Sequence, residues 1–191
     1  FNDKVYNSVA GLNGIGAKAT CLSSLKFAVS VVRDGVNAHA TWEKGILTKY
    51  EEKSYHDKKA TGTSVQFIPD PEVYNLEPIK VDFDVLCARC KNLSYLTKGL
   101  TFELFHHNGK QEIKQTYCAK NGLLDLINEK MSEDPFYAPI HISGEDIEIV
   151  ITHGNSYGEN ITSFVNGQNT RDGGTHLVAV REAISKTLKD F

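Results

Sequence analysis

Hydrophobic and polar positions alternate with a period of two from Lys26 onward, where Phe27, Val29 and Val31 are interleaved with Ala28, Ser30 and Val32. Such alternation predicts a strand with one apolar face. Asp34-Gly35 is a hairpin signal and Lys44-Gly45 a second turn, so strands near residues 36–42 and 46–51 extend a meander. The polar stretch Glu52 to Lys59 leads to Gly62 and a further strand over 64–68. Pro69-Asp70-Pro71 ends that strand, because proline cannot continue a central one. Upstream, residues 1–10 are polar and aperiodic and read as a loop; Gly11-Leu12-Asn13-Gly14-Ile15-Gly16 follows, then a short helix over 17–25.

Further along, residues 81–96 read as a helix with Phe83, Leu86, Cys87, Cys90 and Leu93 on one face. Segments 101–105 and 111–117 flank Asn108-Gly109, a strong hairpin signature. A short helix over 121–131 carries Leu123, Leu124 and Ile127. Asp134-Pro135 then punctuates the chain and marks the expected domain boundary, giving one domain over 1–134 and a second over 135–191. Beyond it come strands over 140–142, 147–151 and 161–165, and the turn Gly173-Gly174. A last helix places Leu177, Val180, Ile184, Leu188 and Phe191 three and four residues apart. The class is α+β, antiparallel meanders backed by helices.

With 191 residues, the chain has room for one large domain or two small ones. A net charge of −3 argues against a chain whose main task is to grip nucleic acid. No apolar run approaches the roughly 20 residues of a membrane span. Four cysteines do not make a disulfide framework, so a reducing cytoplasm is expected. Met131 is the only methionine, and the final helical pattern runs to Phe191; the natural start is expected upstream and the helix beyond.

Three glycines in Gly11 to Gly16 let a backbone approach a ligand closely, and N–H groups ahead of a helix favour an anion. Lys18 could add a charge. No Gly-Lys-Ser/Thr closes the string and no buried strand leads into it, so neither a Walker A loop nor a dinucleotide fingerprint is present. A phosphate cradle and a plain flexible helix entry both remain open. Cys87-Ala88-Arg89-Cys90 lacks two further ligands at matched spacing, and core packing is the expectation. His106-His107 reads as a solvated hairpin tip, and Asp82 and Asp84 as acids suited to a helix start. Asn169 to His176 reads as a turn with Asp172 or Thr175 capping the helix behind it. No catalytic triad, and no metal site, can be assembled.

Taken in order, these strings resemble the B subunits of type IIA DNA topoisomerases, of the gyrase B and topoisomerase IV B kind. Gly11-Leu12-Asn13-Gly14-Ile15-Gly16 resembles the Gly-Leu-His-Gly-Val-Gly stretch of that family's ATP lid. Thr61-Gly62-Thr63-Ser64-Val65 with Phe67 and Pro69 resembles its Gly-Thr strand, and Leu93 to Leu100 its Leu-Ser-Phe-Leu-Asn-x-Gly segment. Tyr157 to Ile161, Phe164 to Asn166 and Asn169 to His176 resemble the signature ending in Gly-Gly-Thr-His. The resemblance implies the C-terminal part of a GHKL (Bergerat) ATPase fold to about Asp134. The start of a transducer domain like domain 2 of ribosomal protein S5 would follow. It also implies an ATP-driven, Mg2+-dependent dimer gate that passes one DNA duplex through another. Its partners would be DNA, the topoisomerase A subunit and a second copy of the B subunit. Asn13, where histidine is commoner, favours the topoisomerase IV type.

Residue by residue, Gly11, Leu12, Gly14 and Gly16 match lid positions whose backbone holds the triphosphate, with Asn13 and Ile15 as variants alongside. Tyr6 falls at a nucleotide-contacting tyrosine. Thr63 matches a threonine that helps read adenine through water, and Arg33 the arginine at the pocket mouth that aminocoumarins use. The family's water-activating glutamate, magnesium-binding asparagine and adenine-reading aspartate have no counterpart among these strings and are expected before Phe1; the γ-phosphate-sensing lysine is expected after Phe191. No catalytic residue is assigned. The alternative is a stand-alone interaction module that keeps the GHKL fold and does not hydrolyse ATP.

Overall fold

A computed structural model describes residues 14–107, 109, 111–155 and 157–191, which form two compact units meeting in sequence at Val81 and Asp82. The first begins with helix α1 (Ile15–Leu22) and continues through strands β1 (Ser24–Arg33), β2 (Val36–Glu43), β3 (Ile46–Ser54) and β4 (Gly62–Pro69). The helix starts and stops earlier than its composition suggests. It stops because two serines turn back on it: the Ser23 hydroxyl donates to Ala19 O at 2.8 Å and that of Ser24 to Thr20 O at 2.6 Å. Ser24 is thereby free to open the first strand.

The strands form one antiparallel sheet in the order β3-β2-β1-β4. Both tight turns behave as their sequences require: Asp34 and Gly35 have φ of 53° and 78°, Lys44 and Gly45 47° and 79°. Two left-handed residues match the twist of a two-residue hairpin. Strand β3 runs on to Ser54, through residues expected to be irregular, because Glu52, Lys53 and Ser54 pair with Ala38, Asn37 and Val36. An outer strand wet on both sides shows no alternation to read.

Cross-strand partners share a face. Phe27, Val29, Val31 and Arg33 therefore lie with Trp42, Ala40, Ala38 and Val36 of β2 and with Phe67, Val65 and Thr63 of β4. Phe27 and Trp42 meet edge to face, centroids 5.7 Å apart. The opposite face carries Ser30 and His39, whose Oγ and Nδ1 are 2.7 Å apart. The apolar face is only partly covered: Phe27 is buried, whereas Val65 and Phe67 stand 53% and 52% exposed. After β4 the Asp70 carboxylate caps a short helix not expected from sequence, α2 (Pro71–Tyr74), by accepting from Glu72 N at 3.0 Å. An aspartate before a proline fits an N-cap followed by the first helical position. Lys44 Nζ lies 3.4 Å from the buried Asp70 carboxylate.

The second unit comprises α3 (Phe83–Leu96), β5 (Phe102–His107), β6 (Glu112–Tyr117), α4 (Leu123–Lys130), β7 (Ile140–Ser143), β8 (Glu148–Ile151), β9 (Phe164–Val165), β10 (Gln168–Asn169) and α5 (Thr175–Asp190). Asp82 caps α3, accepting from Val85 N at 3.1 Å. The less exposed line of α3 runs Phe83, Cys87, Cys90, Ser94, so Leu86, expected on the inner face, points outward at 40% exposure. His106 is not a solvated tip: its ring stacks on Phe83 at 5.1 Å. The expected strand over 161–165 contracts to β9, and β10 was not expected. Asn166 and Gly167 turn between them with φ of 48° and 77°. Neither Asp172 nor Thr175 caps α5; the N-cap is Gly174 and makes no side-chain capping bond. Thr175 is already the first helical residue.

Tyr95, Ala119 and Leu126 form a small core, with Leu123 and Phe164 packed on it. The Tyr95 hydroxyl donates to Glu129, which also takes Lys91 Nζ at 2.6 Å. Burial, with the Glu129 carboxylate beside it, pushes the Tyr95 hydroxyl up to about 12. An unfolded tyrosine ionises near 10, so this stabilisation is complete below about pH 10 and disappears as pH rises toward 12. Denaturant titrations should lose up to ~2 kcal/mol over that window, and Tyr95→Phe should flatten the loss. An identical loss in the variant would acquit Tyr95.

Candidate functional site

The described part of the glycine string forms the entry of α1. Gly14 is its N-cap, with φ 63° and ψ 19°, a left-handed conformation that glycine adopts without steric cost. No side chain caps α1 and no acid lies in its first turn. The first amide N–H groups of a helix have no intrahelical partner, so this end presents donors and the positive end of the dipole. Ile15 is 64% exposed, and a Cβ placed on Gly16 would meet nothing within 4 Å. Among the described residues, nothing fills the space beside Gly16.

Thr63 pairs with Val31, and Arg33 follows Val31 by two residues on the same strand, so all three share the apolar sheet face. Val65 lies two residues along from Thr63 and pairs with Val29. The Thr63 side chain is exposed rather than enclosed, and among the described residues Arg33 makes an exposed ion pair with Asp34 at 3.4 Å. Such pairs contribute little and leave a guanidinium free to reorient. Val31 and Val65 were not singled out as site residues from sequence; the pairing register is what brings them beside Thr63. Tyr6, Gly11, Leu12 and Asn13 lie outside the described residues. Cys21, Cys87, Cys90 and Cys118 are unbridged thiols, and hydrogen bonding to Cys87, with some burial, raises the Tyr117 hydroxyl.

The first unit thus joins an uncapped glycine helix entry to a four-stranded antiparallel sheet, one face of which bears Thr63 and Arg33. Residues 111–191 match the family described as DNA gyrase B. The DNA topoisomerase 4 B subunit of Borreliella burgdorferi is 38% identical over an alignment that takes in 100% of this chain and 30% of that protein. The DNA gyrase B subunit of Cytophaga hutchinsonii is 31% identical, over 97% of this chain and 40% of that protein. Among solved structures, the 43K ATPase domain of Thermus thermophilus gyrase B, in complex with an aminocoumarin, is similar with a TM-score of 0.76 at 27% identity. That match covers 93% of this chain and 50% of the solved one. The topoisomerase IV ATP binding domain of Francisella tularensis, in complex with a small-molecule inhibitor, gives a TM-score of 0.74 at 25% identity, over 95% and 50%. The chain belongs to the B subunits of the type IIA DNA topoisomerases and corresponds to part of their ATPase region. It spans about a third of the length of the curated relatives it matches.

Proposed function

We propose that the unit spanning residues 11–81 supplies one wall of the ATP pocket in the B subunit of a type IIA topoisomerase. The observation that carries this reading is the uncapped entry of α1, in the same compact unit as the sheet face that bears Thr63, Val31 and Arg33. Backbone N–H groups of Gly14, Ile15 and Gly16, with those of Gly11, Leu12 and Asn13, hold the triphosphate, while Tyr6 contacts the nucleotide. The Thr63 hydroxyl takes part in reading adenine through water, against the apolar surface of Val31 and Val65. Arg33 stands at the pocket mouth.

These groups bind and orient; none of them moves a proton. Mg2+ and the groups that activate water belong to other parts of the complete protein. There the domain boundary lies near Asp134, with the transducer after it. Binding of ATP closes two copies of the B subunit into a dimer and, with the A subunit, drives passage of one DNA duplex through another in the cytoplasm.

The test uses a complete ATPase region carrying Thr63→Ala or Arg33→Ala. Removing the hydroxyl leaves its polar partners short of a hydrogen bond, which costs ~1–3 kcal/mol, or roughly 5- to 150-fold in nucleotide affinity. Arg33→Ala should weaken an aminocoumarin more than it weakens ATP. Unchanged affinity for both ligands in both variants would place the pocket elsewhere.

A further inference from the structure

The chain has a second glycine-rich helix entry, Gly173-Gly174 before α5, and its surroundings are unlike those of the first. A Cβ on Gly174 would fall 2.9 Å from both Cε1 and Nδ1 of His176, whose ring folds back over this entry, whereas a Cβ on Gly16 in α1 would meet nothing within 4 Å. The same ring reaches Thr170, with Nε2 3.3 Å from Oγ1. Thr170 Oγ1 is 2.6 Å from Ser163 Oγ, and Thr170 N donates to Ser163 O at 2.9 Å. All three side chains are half-buried or adjoin half-buried ones, so the chain of bonds is partly shielded from water.

We propose that Ser163, Thr170 and His176 form a latch that locks the β9–β10 hairpin onto the first turn of α5 and closes this entry to ligands. The hairpin then moves with the helix as one rigid joint. Each of the two glycines has a physical reason, and that of Gly174 is the latch. Gly173 has φ 77°, a left-handed value, and a Cβ there would press on Leu177 Cδ2 at 3.3 Å; a side chain on Gly174 would expel the His176 ring. Thr170 is the positioning residue, because it holds both neighbours. This geometry lies within the second unit and does not depend on the nucleotide reading.

Amide hydrogen exchange on the chain itself tests it. Leu177 and Val178 donate to Gly174 O at 3.0 and 3.2 Å and report on the first turn of α5. Thr170→Val should speed their exchange, and that of the residue 170 amide, roughly 5- to 10-fold, the loss expected when a shielded hydrogen bond is removed. Exchange in α4 and in β7–β8 should stay as it was. His176→Gln, whose amide can reach where Nε2 sits, should keep exchange near the original rate, whereas His176→Ala should match Thr170→Val. Unchanged exchange at residues 170, 177 and 178 in Thr170→Val would overturn the latch. So would equal acceleration throughout the second unit, or a His176→Gln protein as open as His176→Ala.

Discussion

The 191-residue chain by itself is expected to hydrolyse no ATP above background. Its proposed contributions are amide donors, the side chains of Tyr6 and Thr63 and an arginine, which hold a nucleotide but do not take a proton from water. General-base activation contributes ~10²–10⁴-fold, and none of the groups assigned to nucleotide binding here supplies it. On the sheet face that bears Thr63, the acid is Glu52 of β3, in the same row as Ala38 and Val31. Three strand spacings separate it from Thr63, ~14 Å at about 4.8 Å each. Its carboxylate accepts instead from the Tyr50 hydroxyl. The complete protein, assayed beside the chain, should turn over ATP in the presence of Mg2+. Turnover that follows the chain through a sizing column would contradict the expectation.

Sequence patterning revealed most where a residue's local preference and its tertiary role coincide. Asp34-Gly35 and Lys44-Gly45 read as hairpins and are hairpins, since their left-handed conformations are decided within two residues. The meander over β1 and β2 was legible because one face of it is apolar. The end of α1 was not, because it is set by hydroxyls of Ser23 and Ser24 folding back, a choice invisible to periodicity. Leu86 and His106 were misplaced for a different reason: which way α3 turns depends on the partner that Phe83 finds across the hairpin. Asn166-Gly167 carries a hairpin signal, but the two-residue strands that flank it show no alternation. At the candidate site, Gly14 to Gly16, Thr63 and Arg33 were named from strings that resemble a family. That Thr63 and Arg33 share a face with Val31 came only from the register.

Gly16→Ala is expected to act in opposite directions on stability and on ligand binding. In α1 the new methyl meets nothing within 4 Å, so the fold has room for it. Replacing a helical glycine with alanine restricts the unfolded chain and should stabilise by ~0.5–1 kcal/mol. On the proposed reading, the same methyl occupies the space through which a phosphate approaches the N–H groups of the first turn. Losing one such bond to a charged ligand costs ~1.5–3 kcal/mol, about 10- to 100-fold in affinity. A destabilised protein that binds poorly says little; a stabilised one that binds poorly identifies the space the ligand needs. The direct measurement is calorimetric titration of a non-hydrolysable ATP analogue into a complete ATPase region with and without Gly16→Ala, alongside thermal unfolding of both. An unchanged or higher melting temperature with affinity down at least tenfold is the predicted result. A folded variant that binds the analogue as tightly as the parent would show that the entry of α1 does not hold the triphosphate.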